Sequence, residues 1–129
     1  MLKYDNLTLT DIQALPRDRT IFALAMSPIE VHGPHLPVGI DVVIAENVLE
    51  LVAERASSAY PNLGFVSLPS LYLGADALPV PGSLGVSARA LESILYDLGK
   101  GLAVQGFKYL LVTDNHGGPS HQLAVPVAV

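Results

Sequence analysis

Short apolar runs alternate along this chain with longer segments in which apolar residues recur at helical spacing. Residues 21–26 form one such run between charged residues and a Ser-Pro pair, as expected for a strand buried on both faces. Residues 64–68, ended by Pro69, and residues 109–113 form two further runs. The pattern therefore predicts three strands.

Two amphipathic helices are predicted between these strands. The first covers residues 41–59, with Asp41 at the N-cap position. The second is predicted to begin after an N-cap at Ser87 and to end at Gly106, a left-handed stop. The buried stripes are expected to be Ile44, Val48, Leu51, Val52 and Ala56 in the first helix, and Leu91, Ile94, Leu95, Leu98 and Leu102 in the second. The Gly- and Pro-rich residues 70–85 are predicted to form a loop.

Strands that alternate with amphipathic helices imply crossover connections and hence a mainly parallel sheet covered by helices. The predicted class is α/β, with residues 1–129 in a single domain that contains no repeat or low-complexity segment. Pro119 begins another helix or a loop, and the sequence then ends in seven apolar residues at 123–129. We interpret this apolar end as an interruption of a longer fold.

Composition excludes several classes of protein. The formal net charge is −5, and the seven Lys and Arg residues are scattered, so no nucleic-acid partner is expected. Cysteine is absent, which leaves only nitrogen and oxygen ligands for a metal. We expect a soluble, cytoplasmic protein without a signal peptide or membrane segment. Because only 15% of residues are charged, we also expect an oligomer, in which apolar surface meets another subunit.

Polar side chains are concentrated in two loops, each directly after a predicted strand. Glu30, His32 and Asp41 follow the first strand, and His116 follows the third. In open parallel sheets the ligand site lies beyond the carboxyl ends of the strands, so topology brings the loops together. Side chains alternate in an extended segment, so Glu30 and His32 can point to one place. Imidazole and carboxylate groups predict a site for a divalent cation.

Each residue alone has a simpler interpretation. Asp41 could be only a helix cap, His35 a core histidine bonded to the backbone, and Gly117-Gly118 a turn that requires positive φ. Asp76 could orient substrate or be a solvated loop aspartate. His121 could join the metal or lie on a helix surface.

The segment Glu30-Val-His-Gly-Pro-His-Leu-Pro-Val-Gly-Ile-Asp41 resembles the signature of the creatininase (creatinine amidohydrolase) family. Pro81-Gly-Ser83 and Asp114-Asn-His-Gly-Gly118 resemble two later blocks of that family in the same order. The family has a three-layer α-β-α fold, in agreement with the predicted elements. Its chains are about twice as long, so the resemblance implies that this chain corresponds to the N-terminal half.

The resemblance implies a homo-oligomeric, metal-dependent hydrolase that acts on a small cyclic amide or a related C–N bond through a metal-activated water. Two ions would complete the site, zinc first, with manganese or iron as alternatives. Glu30 and His116 match ligands of one ion, His32 matches a ligand of the other, and Asp41 matches the bridging carboxylate. The predicted catalytic residues are His35 and Asp76.

The chain also departs from the family pattern. Gly118 stands where creatininase has a glutamate ligand of the second ion, and Asp76-Ala77 stands where many members have Glu-His. One ligand is therefore expected from beyond residue 129 or from a second chain. Two alternatives stay open, a hydrolase acting on a keto-cyclitol or sugar ring, and a non-catalytic assembly subunit that keeps a partial metal site.

Overall fold

A computed structural model of the protein describes residues 1–127, with side chains described through residue 126. The strands are β1 (Leu2–Lys3), β2 (Thr20–Ala25), β3 (Gly64–Ser67) and β4 (Tyr109–Thr113). The α-helices are α1 (Leu9–Ala14), α2 (Ile40–Ala59), α3 (Ala88–Val104) and α4 (Pro119–Val127), and a 3-10 turn covers Tyr4–Asn6. Among the described residues, no helix combines the length and apolar character needed to cross a membrane.

All four strands lie parallel, in the order β1-β3-β2-β4. The side chains of β2 alternate between the two faces of the sheet. Leu24 packs in a cluster with Leu91, Leu95 and Ala124 of α3 and α4. The alanines of β2 instead pack against α2 on the other face. The predicted three-layer α/β fold is confirmed.

Helix α2 lies on the sheet with a different face from the predicted one. Ala23 and Ala25 of β2 contact Ala45 and Leu49, so small side chains on both surfaces let the helix approach the sheet closely. The predicted stripe is wrong, because its large members are exposed: Ile44 38%, Val48 43%, Leu51 53% and Val52 39%. The helix is apolar around most of its circumference, so periodicity alone could not select the buried face.

Asp41 is not the N-cap of α2. Helix α2 begins at Ile40, its N-cap residue is Gly39, and Asp41 lies in the first turn. The carboxylate is buried there, 3% exposed, rather than bonded to the helix terminus. This position aims the side chain toward the loop that follows β4.

Helix α3 largely follows its prediction. The Ser87 side chain accepts a hydrogen bond from the Ala90 N–H, and Gly106 has a φ of +86° after the helix. Leu91, Leu95 and Leu102 are buried. Leu98, predicted to be buried, is 36% exposed.

The N-terminal elements were not predicted. Thr8 and Asp11 form a capping box at the start of α1, in which each side chain bonds the backbone N–H of the other residue. Strands β2 and β3 each end one residue before the predicted boundary, at Ala25 and Ser67. Residues 119–127 form a helix, and the last two residues of the predicted apolar end lie outside the described part of the chain.

Candidate metal centre

The site lies at the carboxyl edge of the sheet, where β2 and β4 are neighbours. Ala25 and Thr113 pair in register at the ends of these strands, and the Met26 N–H donates to the Thr113 carbonyl at 2.9 Å. The chain after β2 and the chain after β4 therefore leave the sheet side by side. This is the convergence that the sequence predicts for the two polar loops.

The Glu30 carboxylate is buried and held in place by the loop between β3 and α3. Its Oε1 accepts a hydrogen bond from the Leu78 N–H at 2.7 Å. Its Oε2 lies 3.5 Å from Nε2 of His32 and 3.5 Å from Nδ1 of His116. One carboxylate oxygen is thus anchored and the other faces both imidazoles.

The His32 ring is oriented by the backbone of the segment that carries it. Nδ1 lies 3.1 Å from the carbonyl oxygen of Glu30. Because a carbonyl oxygen can only accept, Nδ1 carries the proton and Nε2 keeps its lone pair for a ligand. That Nε2 faces Oδ1 of Asp41 at 3.4 Å. The side chain is 31% exposed, which leaves this side of the site open to solvent.

Asp41 presents a different oxygen to each imidazole. Oδ1 faces His32 and also accepts from Nδ2 of Asn115 at 3.3 Å. Oδ2 lies 3.5 Å from Nδ1 of His116 and makes no hydrogen bond among the described residues. A buried carboxylate oxygen without a donor is costly, and a cation would satisfy it.

The backbone of His116 is fixed by neighbouring side chains. Its N–H donates to Oδ1 of Asp114 at 3.0 Å, and its carbonyl accepts from Nε2 of Gln122. The side chain is 5% exposed, and Nε2 has no hydrogen-bond partner in the described part of the chain. The ring therefore turns Nδ1 toward Glu30 and Asp41.

These residues fit a divalent cation. Ligand atoms of Glu30, His32 and Asp41 all lie within 4.8 Å of one another, and His116 faces both carboxylates from the other side. Nitrogen and oxygen donors of this kind suit zinc and manganese. In the described part of the chain, no lysine or arginine forms an ion pair with either carboxylate.

Asp114 is an important residue that sequence reasoning left without a role. Burial raises the pKa of its carboxyl, but hydrogen bonds from His121, Ser27 and the His116 N–H outweigh burial, so the pKa is lowered. It is therefore held as a carboxylate. Its position after a strand and two residues before a histidine was the available signal.

The proposed catalytic residues His35 and Asp76 both lie on exposed loops. The interpretation of His35 as a core histidine is wrong, because its ring is exposed. Asp76 has a φ of 61°, and its Oδ2 accepts from the Ser120 N–H at the start of α4. That hydrogen bond lowers the pKa of the Asp76 carboxyl. The catalytic roles of the two residues stay predictions.

His121 does not lie on a helix surface, as one of its two interpretations proposed. It is fully buried between the loop before α3 and the loop after β4. Its ring packs edge-on against the His116 ring, with centroids 5.2 Å apart. His121 is therefore part of the buried surroundings of the candidate ligand His116.

Gly118 is required by space rather than by φ. Neither Gly117 nor Gly118 has a positive φ, so the interpretation of this pair as a left-handed turn is wrong. A Cβ at Gly118 would lie 2.6 Å from Nε2 of His116 and 2.7 Å from Cβ of Asp76. The packing thus leaves no room for a ligand side chain at this position.

A large groove lies away from this site. It has a volume of about 810 Å³ and runs between α2 and the β1–β3 side of the sheet, lined in part by Lys3, Glu46 and Glu50. None of the four candidate ligands lines it. Donor chemistry, not cavity size, identifies the candidate site.

Comparison with known proteins agrees with this geometry. Residues 5–129 match the model of the family Creatininase, described as creatinine amidohydrolase. The curated "Mycofactocin precursor peptide peptidase" of Mycolicibacterium smegmatis is 31% identical over 101 residues, which are 78% of this chain and 40% of that protein. The protein of the same name from Mycobacterium ulcerans is 29% identical over 108 residues, 81% of this chain and 43% of that one.

Solved structures show the same fold. A creatinine amidohydrolase (creatininase) superposes with a TM-score of 0.80 at 22% identity, over 98% of this chain and 49% of the other. A manganese form superposes with a TM-score of 0.78 at 19% identity, and a Zn-Zn form of a creatininase variant with 0.77 at 20%; each covers 98% of this chain and about half of the other. The chain thus spans about half the length of these structures and about two-fifths of the curated relatives. Together with the matched residues, these comparisons show that the chain belongs to the creatininase family.

Proposed function

We propose that this chain provides the metal centre of a hydrolase that cleaves an amide-type C–N bond. The observation that carries the proposal is the arrangement of two buried carboxylates between two imidazoles, with four N···O distances of 3.4 to 3.5 Å. Buried charges in proteins are paired or coordinate metals. In the described part of the chain these carboxylates have no Lys or Arg partner, so a divalent cation is the natural counter-charge.

We propose Glu30, His32, Asp41 and His116 as the ligands. Asp41 would bridge two ions, because Oδ1 faces His32 and Oδ2 faces His116. Zinc is the first choice and manganese the second, on the donor set and on the metals named for the superposed structures. Because Gly118 has no space for a side chain, a further ligand for the second ion would come from outside these four residues.

The chemistry of such a site is amide hydrolysis at neutral pH. A bound divalent cation would polarise the attacked carbonyl and lower the pKa of a nearby water. The residues of this chain orient the donors: Leu78 holds Glu30, the Glu30 carbonyl holds His32, and the loop after β4 holds His116. The partly exposed His32 marks the side from which a substrate can enter.

The proposed substrate class is supported by the family and the names of its relatives. A small cyclic amide suits the creatininase family, and a peptide bond suits the relatives named as precursor peptide peptidases. Both contain the same amide C–N bond. His35 and Asp76 remain our candidates for groups that contact the substrate.

The assembly is a further part of the proposal. The outward face of α2, here defined as Ile44, Val48, Leu51 and Val52, is apolar and exposed. Large exposed apolar patches mark sites of association. We propose that this face meets another copy of the chain in a homo-oligomer, or a second chain that supplies the remaining part of the family fold.

Metal titration followed by activity assays tests the proposal. The purified chain is stripped with a chelator, titrated calorimetrically with Zn²⁺ and Mn²⁺, and assayed with creatinine and with a short synthetic peptide. We expect at least one bound ion per chain and hydrolysis that requires it. His116→Ala should lose the ion, whereas Glu50→Gln, on the exposed side of α2, should retain it. A parent chain that binds neither ion would refute the metal centre.

A further inference from the structure

Behind the candidate ligands lies a buried histidine that faces two different loops through its two nitrogens. Nδ1 of His121 accepts a hydrogen bond from the Ala75 N–H at 3.0 Å. Nε2 lies 3.1 Å from Oδ2 of Asp114, a close polar contact that is not aligned as a full hydrogen bond, and the ring lowers the pKa of the Asp114 carboxyl. The side chain is 0% exposed, so water cannot substitute for either contact.

The two contacts assign the tautomer of His121. A backbone N–H can only donate, so Nδ1 must be the acceptor and carries no proton. The proton of the neutral ring is therefore on Nε2, the nitrogen that lies 3.1 Å from the Asp114 carboxylate. The imidazole therefore lies between the Ala75 backbone and Asp114 with its acceptor nitrogen toward Ala75 and its protonated nitrogen toward Asp114.

The space around His121 supports a fixed ring. A Cβ at Gly74 would lie 2.9 Å from Cε1 of His121 and 2.3 Å from Cδ of Pro28. The loop therefore packs directly on the imidazole, and only glycine allows this approach. This close packing restricts the movement of the ring on its Gly74 side.

Asp114 transmits this constraint to His116. Oδ1 of Asp114 accepts from the His116 N–H and from the Ser27 hydroxyl, while Oδ2 faces His121. The Ser27 Oγ in turn accepts from the Asn115 N–H at 3.2 Å. The Asp114 carboxylate thus holds the His116 N–H directly and the Asn115 N–H through the Ser27 hydroxyl.

We propose that His121 is a positioning residue for the candidate metal centre: by holding its Nε2 against Oδ2 of Asp114, it fixes the carboxylate that binds the His116 N–H and hence the direction of the His116 Nδ1. This inference rests on the proposed function. Outer residues that orient metal ligands typically change metal affinity about 10- to 100-fold when they are replaced. His121 acts through Asp114 and is not itself a proposed ligand.

Two matched substitutions separate the two polar contacts of the ring. In His121→Gln, the side-chain amide can still reach Asp114 from the position of Nε2, but the acceptor for Ala75 is lost. In His121→Asn, the side-chain oxygen takes the position of Nδ1 and keeps the bond to Ala75, but nothing reaches Asp114. Each variant removes one polar contact of the ring, so a purely structural role predicts similar effects.

Zn²⁺ titration of the stripped chain is the first measurement. We expect His121→Gln to keep the Kd within about threefold of the parent and His121→Asn to weaken it about tenfold or more. Asp114→Asn is the second probe if His121→Asn does not fold. In this variant the side-chain oxygen would still accept from the His116 N–H, and the new NH₂ group would face the Nε2–H of His121. Two donors would then face each other, so we expect the same weakening. Equal effects of the two His121 variants, or parent-like binding by either Asn variant, would overturn the inference.

Amide hydrogen exchange in the metal-free protein is the second measurement. The His116 N–H should exchange about tenfold faster in His121→Asn than in His121→Gln, relative to the buried strand amide of Leu24. Unchanged exchange would overturn the positioning role. If exchange responds as expected but the parent binds no Zn²⁺, the positioning of His116 stands and the proposed metal centre fails.

Discussion

Oδ2 of Asp41 and Nδ1 of His116 lie 3.5 Å apart, although one belongs to the first turn of α2 and the other to the loop after β4. Oδ2 accepts from no donor among the described residues that would explain its burial. The two elements are adjacent because β2 and β4 pair in register. The strand order of the sheet thus creates the candidate centre.

Removal of the Asp41 carboxylate should remove metal binding. Asp41→Ala deletes the group that faces both imidazoles, so we expect the metal content of the purified protein to fall to background, as measured by plasma mass spectrometry. Glu50→Gln, on the exposed side of the same helix, is the matched control and should keep its metal. Unchanged metal content in Asp41→Ala would show that Asp41 does not bridge.

The capping box of α1 should make the N-terminus sensitive to acid. The hydrogen bonds from Thr8 hold the pKa of Asp11 below its ordinary value. A lowered folded-state pKa stabilises the fold above the unfolded pKa, about 4, and this contribution is lost as the pH falls through the folded value. We expect the Asp11 carboxyl to titrate at a lower pH in the parent than in Thr8→Ala, as measured by NMR, because only the parent keeps the hydrogen bonds from Thr8. Identical titration in both proteins would contradict the capping box.

The strand and helix series could be predicted because it depends on local patterns. Short apolar runs gave β2, β3 and β4, and the Ser87 and Gly106 signals gave the ends of α3. Helix α1 was missed although Thr8-Leu-Thr-Asp11 carries a capping-box pattern, because the helix has only six residues and no buried residue. Its stability comes from caps and partial packing rather than from periodicity.

The environment of the site could be predicted only in part. The convergence of Glu30, His32, Asp41 and His116 followed from strand order, but the buried link through His121 depends on α4 folding back against the sheet. No local pattern specifies that contact. The buried face of α2 was mistaken for the same reason, since it depends on the alanines of a neighbouring strand.

An introduced charge should affect the stability of the fold little at Leu51 of α2 and strongly at Leu49. Leu49 is 3% exposed against the sheet, and Leu51 is 53% exposed on the outward face. Leu51→Glu should change the free energy of unfolding by no more than about 0.5 kcal/mol and weaken self-association. Leu49→Glu should unfold the domain, because it buries an unpaired charge.

Sedimentation velocity and urea denaturation measure these two effects. Leu51→Glu could sediment as the parent does over a range of concentrations. The outward face of α2 would then not be part of the proposed homo-oligomer contact. A stable Leu49→Glu protein would instead contradict the observed packing of α2 on β2.

Gly117 and Gly118 offer a test of the steric limit beside His116. A methyl group at Gly118 would lie 2.6 Å from Nε2 of His116 and 2.7 Å from Cβ of Asp76, whereas one at Gly117 would meet nothing within 4 Å. Gly118→Ala should therefore push the imidazole away from Glu30 and Asp41 and weaken Zn²⁺ binding about tenfold or more, in the range seen when ligand orientation is lost. Gly117→Ala should bind as the parent does. Both substitutions add the same methyl group, so Gly117→Ala is a matched control. Equal Zn²⁺ affinities of the two variants by calorimetry would mean that the His116 ring can shift without loss of its contacts. The close packing at Gly118 would then not fix the ligand.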